Sequence, residues 1–188
     1  MTEQQLIEGC IQQDRRSQNE LYRRYFPLMS SVALRYTQNE DDALAQMNGG
    51  FCKVLNNLEK YDSQYALATW IRNILLNHLI DEFRKEKKYI AHIHLTDYDD
   101  GPVGVDFNAA ESNLREEDLR KILRRLPDVT LQVFNLFAID GYKHREIADY
   151  LGISEGTSKW HVSHARKKLK AMLEAQQISE QKPLEIRG

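Results

Sequence analysis

A stretch near the carboxyl end of the chain carries five basic residues, two histidines and no acid between Lys159 and Lys170. Lysine and arginine bind phosphate oxygens, and polar side chains hydrogen-bond to base edges. The combination therefore indicates contact with a polyanion, and with DNA in particular. The side chains that we expect to meet DNA are Lys159, Trp160, His161, Ser163, His164, Arg166, Lys167 and Lys168.

The residues just before and within this stretch predict two helices joined by a tight turn. Gly152 follows Ala148 by four residues, where a turn needs a positive φ that glycine adopts at little cost. Ser154 is a good N-cap for the second helix. This helix has an apolar back and a basic front, with His161 expected on the flank of the front. The pattern predicts a helix-turn-helix, although an ordinary helical hairpin with a charged surface is the alternative. Ser158 departs from the apolar residue usual at its position.

Apolar residues at spacings of three and four predict helices through most of the chain. The predicted spans are 20–36, 41–58, 68–84, 114–126 and 129–139. Residues 68–84 are apolar on nearly every side, which predicts a helix at the centre of a bundle. Pro27 predicts a kink or a restart in the first span, and Gly141 ends the last. Because no stretch alternates as a strand would, the predicted fold class is all-α.

Residues 91–112 lose this periodicity and carry Gly101, Pro102 and Gly104. Eight acids and one base lie between Thr96 and Asp118. We therefore expect a flexible acidic linker between two small helical domains, at 1–90 and 113–174, with a tail at 175–188. The net charge of −2 conceals basic patches on both sides of this linker, at 84–88 and 159–170.

The composition excludes several classes of protein. No apolar run approaches the roughly 20 residues that cross a bilayer, and MTEQQLIEGC has no basic segment followed by an apolar one, so no secretory signal is expected. Two cysteines, Cys10 and Cys52, cannot form a disulfide framework or a closed zinc site alone. We expect a cytoplasmic protein with reduced thiols, and Cys52 buried as a small apolar residue.

The chain also lacks the patterns of an enzyme. There is no phosphate-binding glycine loop and no nucleophile with a positioned base. His92 and His94 with Asp97 are conceivable metal ligands, but nothing nearby would fix their geometry. We therefore predict no catalytic residue, no metal and no cofactor.

Both halves of the chain resemble one known family. The C-terminal half is similar to the promoter-binding fourth region of sigma-70-type initiation factors, in LRRLPDVTLQVFNLFAIDGYKHREIADYLGISEGTSKWHVSHARKKL. The N-terminal half resembles the second region, in DDALAQMNGGFCKVL and ATWIRNILLNHLIDEFRKEKK, with Trp70, Asn77, Asp81 and Arg84 at the family's spacing. Both halves in this order resemble the small two-domain extracytoplasmic-function (ECF) group, over about residues 10–174.

The resemblance implies a protein that binds core RNA polymerase and directs it to promoters, with no catalytic site of its own. The helix-turn-helix would read the −35 element. Residues 59–66 resemble the loop that captures a base flipped from the −10 element, since tyrosines offer stacking faces and basic residues meet phosphates. The residues expected at the −10 element are Tyr61, Asp62, Ser63, Gln64, Tyr65, Asn77, Arg84, Lys85, Lys87 and Lys88.

The helix that resembles the polymerase contact supplies Asp41, Asp42 and Asn48. Ala45 and Gly49 stand where the family often has acids. Two adjacent glycines also weaken a helix by roughly 1 kcal/mol each relative to alanine. These departures predict a polymerase contact that is weak, that is shifted along the helix, or that needs help from another partner. An anti-sigma factor or another recruiting protein is left open as a further partner.

Two functions of other classes are also weighed. A DNA-binding regulator acting without polymerase would use the N-terminal bundle as a dimer or ligand module. It would differ from a sigma factor, which alone should be monomeric, bind duplex DNA weakly and co-purify with core polymerase. A recombinase would need a nucleophile beside clustered arginines, for which Tyr22 and Tyr25 beside Arg23 and Arg24 are the candidates. Because they lie on an apolar helical stripe, this function is disfavoured.

Overall fold

The computed structural model describes the backbone of residues 1–87 and 116–180 and the side chains of 1–86 and 120–174. Within these ranges the regular structure is entirely helical, as predicted for the all-α class. The chain divides into two compact units, Met1–Ile93 and His94–Gly188. The predicted linker at 91–112 lies outside the described residues, as do Lys88 and the last part of the predicted tail, 181–188.

The first unit is a bundle of four helices. They are α1 (Glu3–Ile11), α2 (Arg15–Tyr36), α3 (Glu40–Asn57) and α4 (Leu67–Lys87), with a 3-10 turn at Leu58–Lys60 before α4. Helix α2 runs through Pro27 as one element, so the predicted restart there is wrong. Pro27 and Arg23, whose carbonyl loses its helical partner, are both exposed, and water can satisfy that carbonyl.

Side-chain caps explain where two of these helices begin. The Oγ1 of Thr2 accepts from the backbone N–H of Gln5 at 3.2 Å, while the Gln5 side chain accepts from the backbone N–H of Thr2 at 3.0 Å. At the start of α3, the side-chain oxygen of Asn39 accepts from the N–H of Asp42 at 2.8 Å. Helix α1 is not among the predicted helices. The spacing of Thr2 and Gln5 is a capping-box signal that would have indicated its start.

Helix α4 lies at the centre of the first unit, as its apolar sequence predicts. It packs against both α2 and α3, and Ile71, Leu75 and Leu76 on it are fully buried. The predicted stripes of α2 and α3 face the same core. Their buried members are Leu21, Tyr25, Val32, Tyr36, Met47, Phe51 and Val54.

The two cysteines lie in different environments. Cys10 is buried on α1, and burial, with a smaller effect of the Asp14 charge, raises its pKa to about 11. Cys52 is exposed, so the prediction of a buried residue is wrong. The reason is helical phase, because Cys52 points away from the side on which its neighbour Phe51 enters the core.

Two consecutive glycines let α3 lie close to α4. A side-chain carbon at Gly49 would lie 2.7 Å from the Nε2 of His78, and one at Gly50 would collide with the Leu75 side chain. The two glycines lower the helix propensity of α3, but they also allow α3 to pack closely against the central helix α4. A side chain at Gly49 would require the His78 ring to shift, so glycine suits the present packing of α3 on α4.

We expect Gly50→Val to lower the free energy of unfolding of the first unit by about 1–3 kcal/mol, as overpacking does. Its branched carbons would meet Leu75, whose Cα lies 3.5 Å from the position of the added Cβ. Urea unfolding of the full chain, followed by circular dichroism, measures the loss. Ala45→Val, at an exposed site of the same helix, is the control and should cost less than about 0.7 kcal/mol. Equal losses would contradict close packing at Gly50.

The second unit corresponds to the remaining predicted helices. It contains α5 (Glu116–Leu123), then α6 (Asp128–Phe134) continuing into a π-helical turn (Asn135–Ile139), then α7 (His144–Leu151) and α8 (Glu155–Glu180). Gly141, after the π-helical turn, adopts a φ of 76°. The core joins α5, α6 and α8 through Ile122, Leu123, Leu126, Leu131, Phe134, Ala165 and Leu169.

Candidate nucleic-acid interface

The turn between α7 and α8 has the local geometry that its sequence predicts. Gly152 closes α7 in the left-handed conformation, with a φ of 68°. The N–H of Ile153 donates to the carbonyl of Ala148 at 3.1 Å. The Oγ of Ser154 accepts from the N–H of Thr157 at 2.9 Å and so caps α8. These contacts fix the direction in which α8 leaves the turn.

Helix α8 has one buried side and one exposed side. Val162, Ala165 and Leu169 are buried, as the predicted apolar back requires. Lys159 and Lys167 are exposed on the opposite side. The candidates with intermediate exposure are Trp160, Ser163, His164, Arg166 and Lys168. The structure therefore brings these predicted contact residues to one outer surface of α8.

His161 is the exception, and the prediction that it flanks the exposed side is wrong. Its side chain is only 9% exposed, and its Nδ1 lies 2.9 Å from the Oγ1 of Thr130 on α6. Burial, with a smaller effect of charge on His164, lowers the pKa of His161 to about 4. The helical periodicity is consistent with this burial, because His161 lies one helical turn before the buried Ala165 and shares its side of α8.

A second histidine–hydroxyl pair joins α7 to α8. The Nδ1 of His144 lies 3.0 Å from the Oγ of Ser158, which is completely buried. The His144 ring also stacks on Phe137, with centroids 4.4 Å apart and an interplanar angle of 14°. A serine is therefore accommodated at this usually apolar position because a histidine is its hydrogen-bond partner. The Arg166 guanidinium lies 5.9 Å from the Phe137 ring centroid, within cation–π range.

Trp160 and His164 form a stacked pair at the surface of α8. Their centroids are 4.8 Å apart and their planes differ by 10°. Burial, followed by the charges of Lys168 and Lys167, lowers the pKa of His164 below its ordinary value. The neutral imidazole can donate from one nitrogen and accept at the other, which suits contact with base edges. The pair thus offers a preformed aromatic surface beside exposed lysines.

The loop between the 3-10 turn and α4 is built around Tyr61. The Tyr61 hydroxyl donates to the carbonyl of Tyr65 at 2.5 Å, and its ring packs edge-on against Trp70 at 5.3 Å between centroids. Trp70 is itself only half-buried. The Asp62 carboxylate accepts from the N–H of Gln64 at 2.9 Å. Tyr65 is 66% exposed, whereas Tyr61 is half-buried.

The predicted phosphate contacts lie in the last turns of α4. Arg84 and Lys85 are exposed, as is Asn77 two turns earlier. The Nζ of Lys85 forms an ion pair with the Glu82 carboxylate. The Lys87 side chain lies outside the described part of the chain, as Lys88 does. Exposed cations therefore lie near the end of α4, the helix that follows residues 61–66, which we call the tyrosine loop.

The predicted polymerase contacts lie along α3. Asp41 and Asp42 are exposed in its first turn, and the Asn48 Oδ1 accepts from the Tyr22 hydroxyl at 2.9 Å. Leu44 lies between them in sequence and is 49% exposed. Leu44 is not among the predicted contacts of this surface. Its position outside the Met47–Phe51 stripe is the signal that it faces solvent. The α3 surface thus combines carboxylates, an oriented amide and an apolar side chain.

Tyr25 and Arg24, two of the groups considered for a recombinase, are engaged elsewhere. The Tyr25 hydroxyl donates to the Glu3 carboxylate at 3.0 Å, and burial together with this bond raises the pKa of Tyr25 to about 12. Arg24 pairs with Glu20 at 3.4 Å. A phenol that holds its proton this firmly is a poor nucleophile at neutral pH.

Among residues 1–87 and 116–180, no three histidine, cysteine, aspartate or glutamate side chains gather as a metal site would require. None of the helices in these ranges has the length and apolarity to cross a bilayer.

Two protein-family models match the chain, one in each half. "Sigma-70 region 2" matches residues 21–89, and "Sigma-70, region 4" matches residues 116–169. The first range contains α3, α4 and the tyrosine loop, and the second contains the turn and most of the exposed side of α8. Together the two ranges cover well over half of the 188 residues.

Individual proteins are similar over most of the chain. RNA polymerase sigma factor SigV of Bacillus subtilis is 26% identical over 148 residues, which is 79% of this chain and 86% of that protein. The ECF RNA polymerase sigma-E factor of Haemophilus influenzae is 24% identical over 177 residues, covering 88% and 92%. The sigma factor RpoE from Bartonella quintana, solved in complex with the anti-sigma factor NepR, is 19% identical with a TM-score of 0.50, covering 83% of this chain and 96% of that one. At 19% identity, this last similarity is evidence for the fold alone.

Proposed function

Because the chain belongs to the ECF group of the sigma-70 family, we propose that it binds core RNA polymerase, recognises promoters and initiates transcription. The observation that carries this function is the presence of regions 2 and 4, in order, on one chain. A regulator acting without polymerase would need only the helix-turn-helix, so that alternative is not favoured. The protein acts by binding and catalyses no reaction of its own.

The exposed side of α8 is proposed to enter the major groove of the −35 element. Its aromatic pair and polar groups would face base edges, while the neighbouring cations would bind phosphates. His161 is withdrawn from this set, because it faces α6. The residues proposed for bases are Lys159, Trp160, Ser163 and His164, and those proposed for phosphates are Arg166, Lys167 and Lys168.

Lys167→Ala should weaken binding to all promoter sequences by a similar factor, because a phosphate contact carries no sequence information. The slope of log affinity against log salt should fall by about one unit. Salt titrations of holoenzyme on matched and scrambled −35 duplexes measure both effects. Lys121→Ala removes the same charge from an exposed site on α5 and is the control. A loss confined to one sequence would contradict a phosphate role.

The tyrosine loop and the end of α4 are proposed to open the −10 element. The loop would hold an unpaired base by stacking and by hydrogen bonds to its edge. The basic side chains at the end of α4 would hold the same DNA strand through its phosphates. The residues proposed here are Tyr61, Asp62, Ser63, Gln64, Tyr65, Asn77, Arg84, Lys85, Lys87 and Lys88.

Core polymerase is proposed to dock on α3. Asp41, Asp42 and Asn48 would form polar contacts, and Leu44 would add apolar area where Ala45 and Gly49 lack the family's acids. We also propose an anti-sigma factor or another recruiting protein as a partner, and the cytoplasm as the place of action, since polymerase and promoter DNA are there.

In vitro transcription tests the function directly. The purified chain is mixed with core polymerase on a promoter library, and core polymerase alone is the control. We expect transcripts from a subset of promoters that share −35 and −10 elements. Tight, specific duplex binding by the free chain, with no transcript from any promoter, would favour a stand-alone regulator instead.

A further inference from the structure

The backbone N–H, the hydroxyl and the ring of Tyr61 each make a contact within the protein. Its backbone N–H donates to the carbonyl of Leu58 at 3.1 Å, and its hydroxyl donates to the carbonyl of Tyr65. Its ring packs edge-on against Trp70, with an interplanar angle of 62°. These contacts hold the Tyr61 side chain in place, and Tyr61 is less exposed than Tyr65.

Tyr65 has the complementary arrangement. Its backbone is held on both sides, because its N–H donates to the carbonyl of Asp62 at 3.1 Å and its carbonyl accepts from Tyr61. Its side chain remains largely exposed. The backbone of Tyr65 is thus ordered before DNA arrives, and less conformational entropy is lost when a base stacks on the ring.

Helix α1 supports this arrangement from behind. It packs against the 3-10 turn that leads into the loop, and its Glu3 carboxylate accepts from Tyr25. Burial, followed by the nearby Glu3 and Asp62 carboxylates, raises the pKa of Tyr61. The Tyr61 hydroxyl therefore keeps its proton and stays a donor to Tyr65 at neutral pH.

We propose that Tyr65 is the residue that stacks on the unpaired base of the −10 element, and that Tyr61 is a positioning residue that holds the Tyr65 backbone without touching DNA. This division of roles rests on the promoter-opening function proposed above. Ser63 and Gln64, exposed on the same loop, lie within the same turn as Tyr65 and are placed to meet the edge of that base.

A cycle that pairs protein variants with abasic nucleotides tests the division. The probe is a single-stranded oligonucleotide carrying the −10 element of a promoter active in the library, with one abasic nucleotide introduced at each position in turn. Its affinity for assembled holoenzyme is measured by fluorescence anisotropy. For wild type, we expect one position at which the abasic nucleotide weakens binding about tenfold, as loss of one stacked base does.

Tyr65→Ala should weaken binding to the intact oligonucleotide by the same factor and make the holoenzyme indifferent to the abasic nucleotide at that position. Tyr65→Phe keeps a stacking ring, so the abasic penalty should persist at the same position in this variant. Tyr61→Phe keeps the packing on Trp70 but loses the bond to Tyr65. It should weaken binding severalfold while the abasic penalty remains at the same position, only reduced.

An unchanged abasic penalty in Tyr65→Ala, or its complete loss in Tyr61→Phe, would overturn the division. Thermal unfolding of each variant verifies that the first unit is intact. If wild-type holoenzyme binds the −10 oligonucleotide no better than a scrambled one, the proposed function itself fails. If wild type prefers it but shows no coupling to Tyr65, only this inference fails.

Discussion

Holoenzyme carrying Tyr61→Ala together with Tyr65→Ala should still bind promoters through the −35 element but fail to open them. Opening requires unpaired bases to be held by the protein better than the duplex holds them, and each stacked base contributes about 1–3 kcal/mol. The double change removes the exposed ring of Tyr65 and the hydrogen bond that fixes its backbone. We therefore expect opening to slow by about 100-fold or more.

Fluorescence of 2-aminopurine in the −10 element reports opening, and footprinting of the −35 element reports closed-complex binding. The matched control is Tyr65→Phe, which retains the ring and should open promoters at nearly the wild-type rate. A double variant that opens the promoter as fast as wild type would remove this loop from the mechanism. Loss of −35 binding as well would mean that the substitutions had damaged more than the loop.

Helix positions were predictable because they depend on local periodicity. The stripe through Met47, Phe51 and Val54 requires only that residues three and four apart share a face, and all three are buried as predicted. Cys52 shows the limit of judging a residue by type, since a small apolar side chain does not enter the core when its helical phase points outward.

The roles of the two glycines could not be derived from α3 alone. Helix propensity predicts only their cost, because it describes an isolated helix. Their benefit depends on His78 and Leu75, which approach from α4 and are about 25 residues away in sequence. Such close approaches are decided by how two helices cross, and one sequence without its packing does not specify that crossing.

The sequence indicates which residues share the loop but not how each of them is held. Tyrosines in a polar loop indicate stacking, yet the sequence does not say which ring is held by contacts within the protein. That depends on the edge-on contact with Trp70 and on a hydroxyl that reaches a carbonyl four residues later. Likewise, the Ser158–His144 pair makes a polar residue acceptable at an apolar position only once α7 and α8 are packed.

Acidification should destabilise the second unit through His161. In the folded chain its pKa is lowered to about 4, first by burial and then by charge on His164. In the unfolded chain its pKa returns to about 6.5. Between these values the unfolded chain binds a proton that the folded chain does not, so the free energy of unfolding falls as pH is lowered from 6.5 to 4. Well above pH 6.5 both states are neutral, and His161 then has no effect on the free energy of unfolding. One pKa unit corresponds to about 1.4 kcal/mol, so the full effect is about 3 kcal/mol.

Urea unfolding at a series of pH values measures this dependence. In a Trp70→Phe background, Trp160 is the remaining tryptophan, and its fluorescence reports the second unit. His161→Asn keeps an amide that can bond Thr130 but does not titrate, so it should lose about 3 kcal/mol less than the parent between pH 7 and pH 4. His164→Asn, at the half-exposed stacked position, is the control and should flatten the curve less. Parallel curves for His161→Asn and its parent, or an NMR titration of the His161 ring with a midpoint near 6.5, would show that burial on α6 does not hold this histidine neutral.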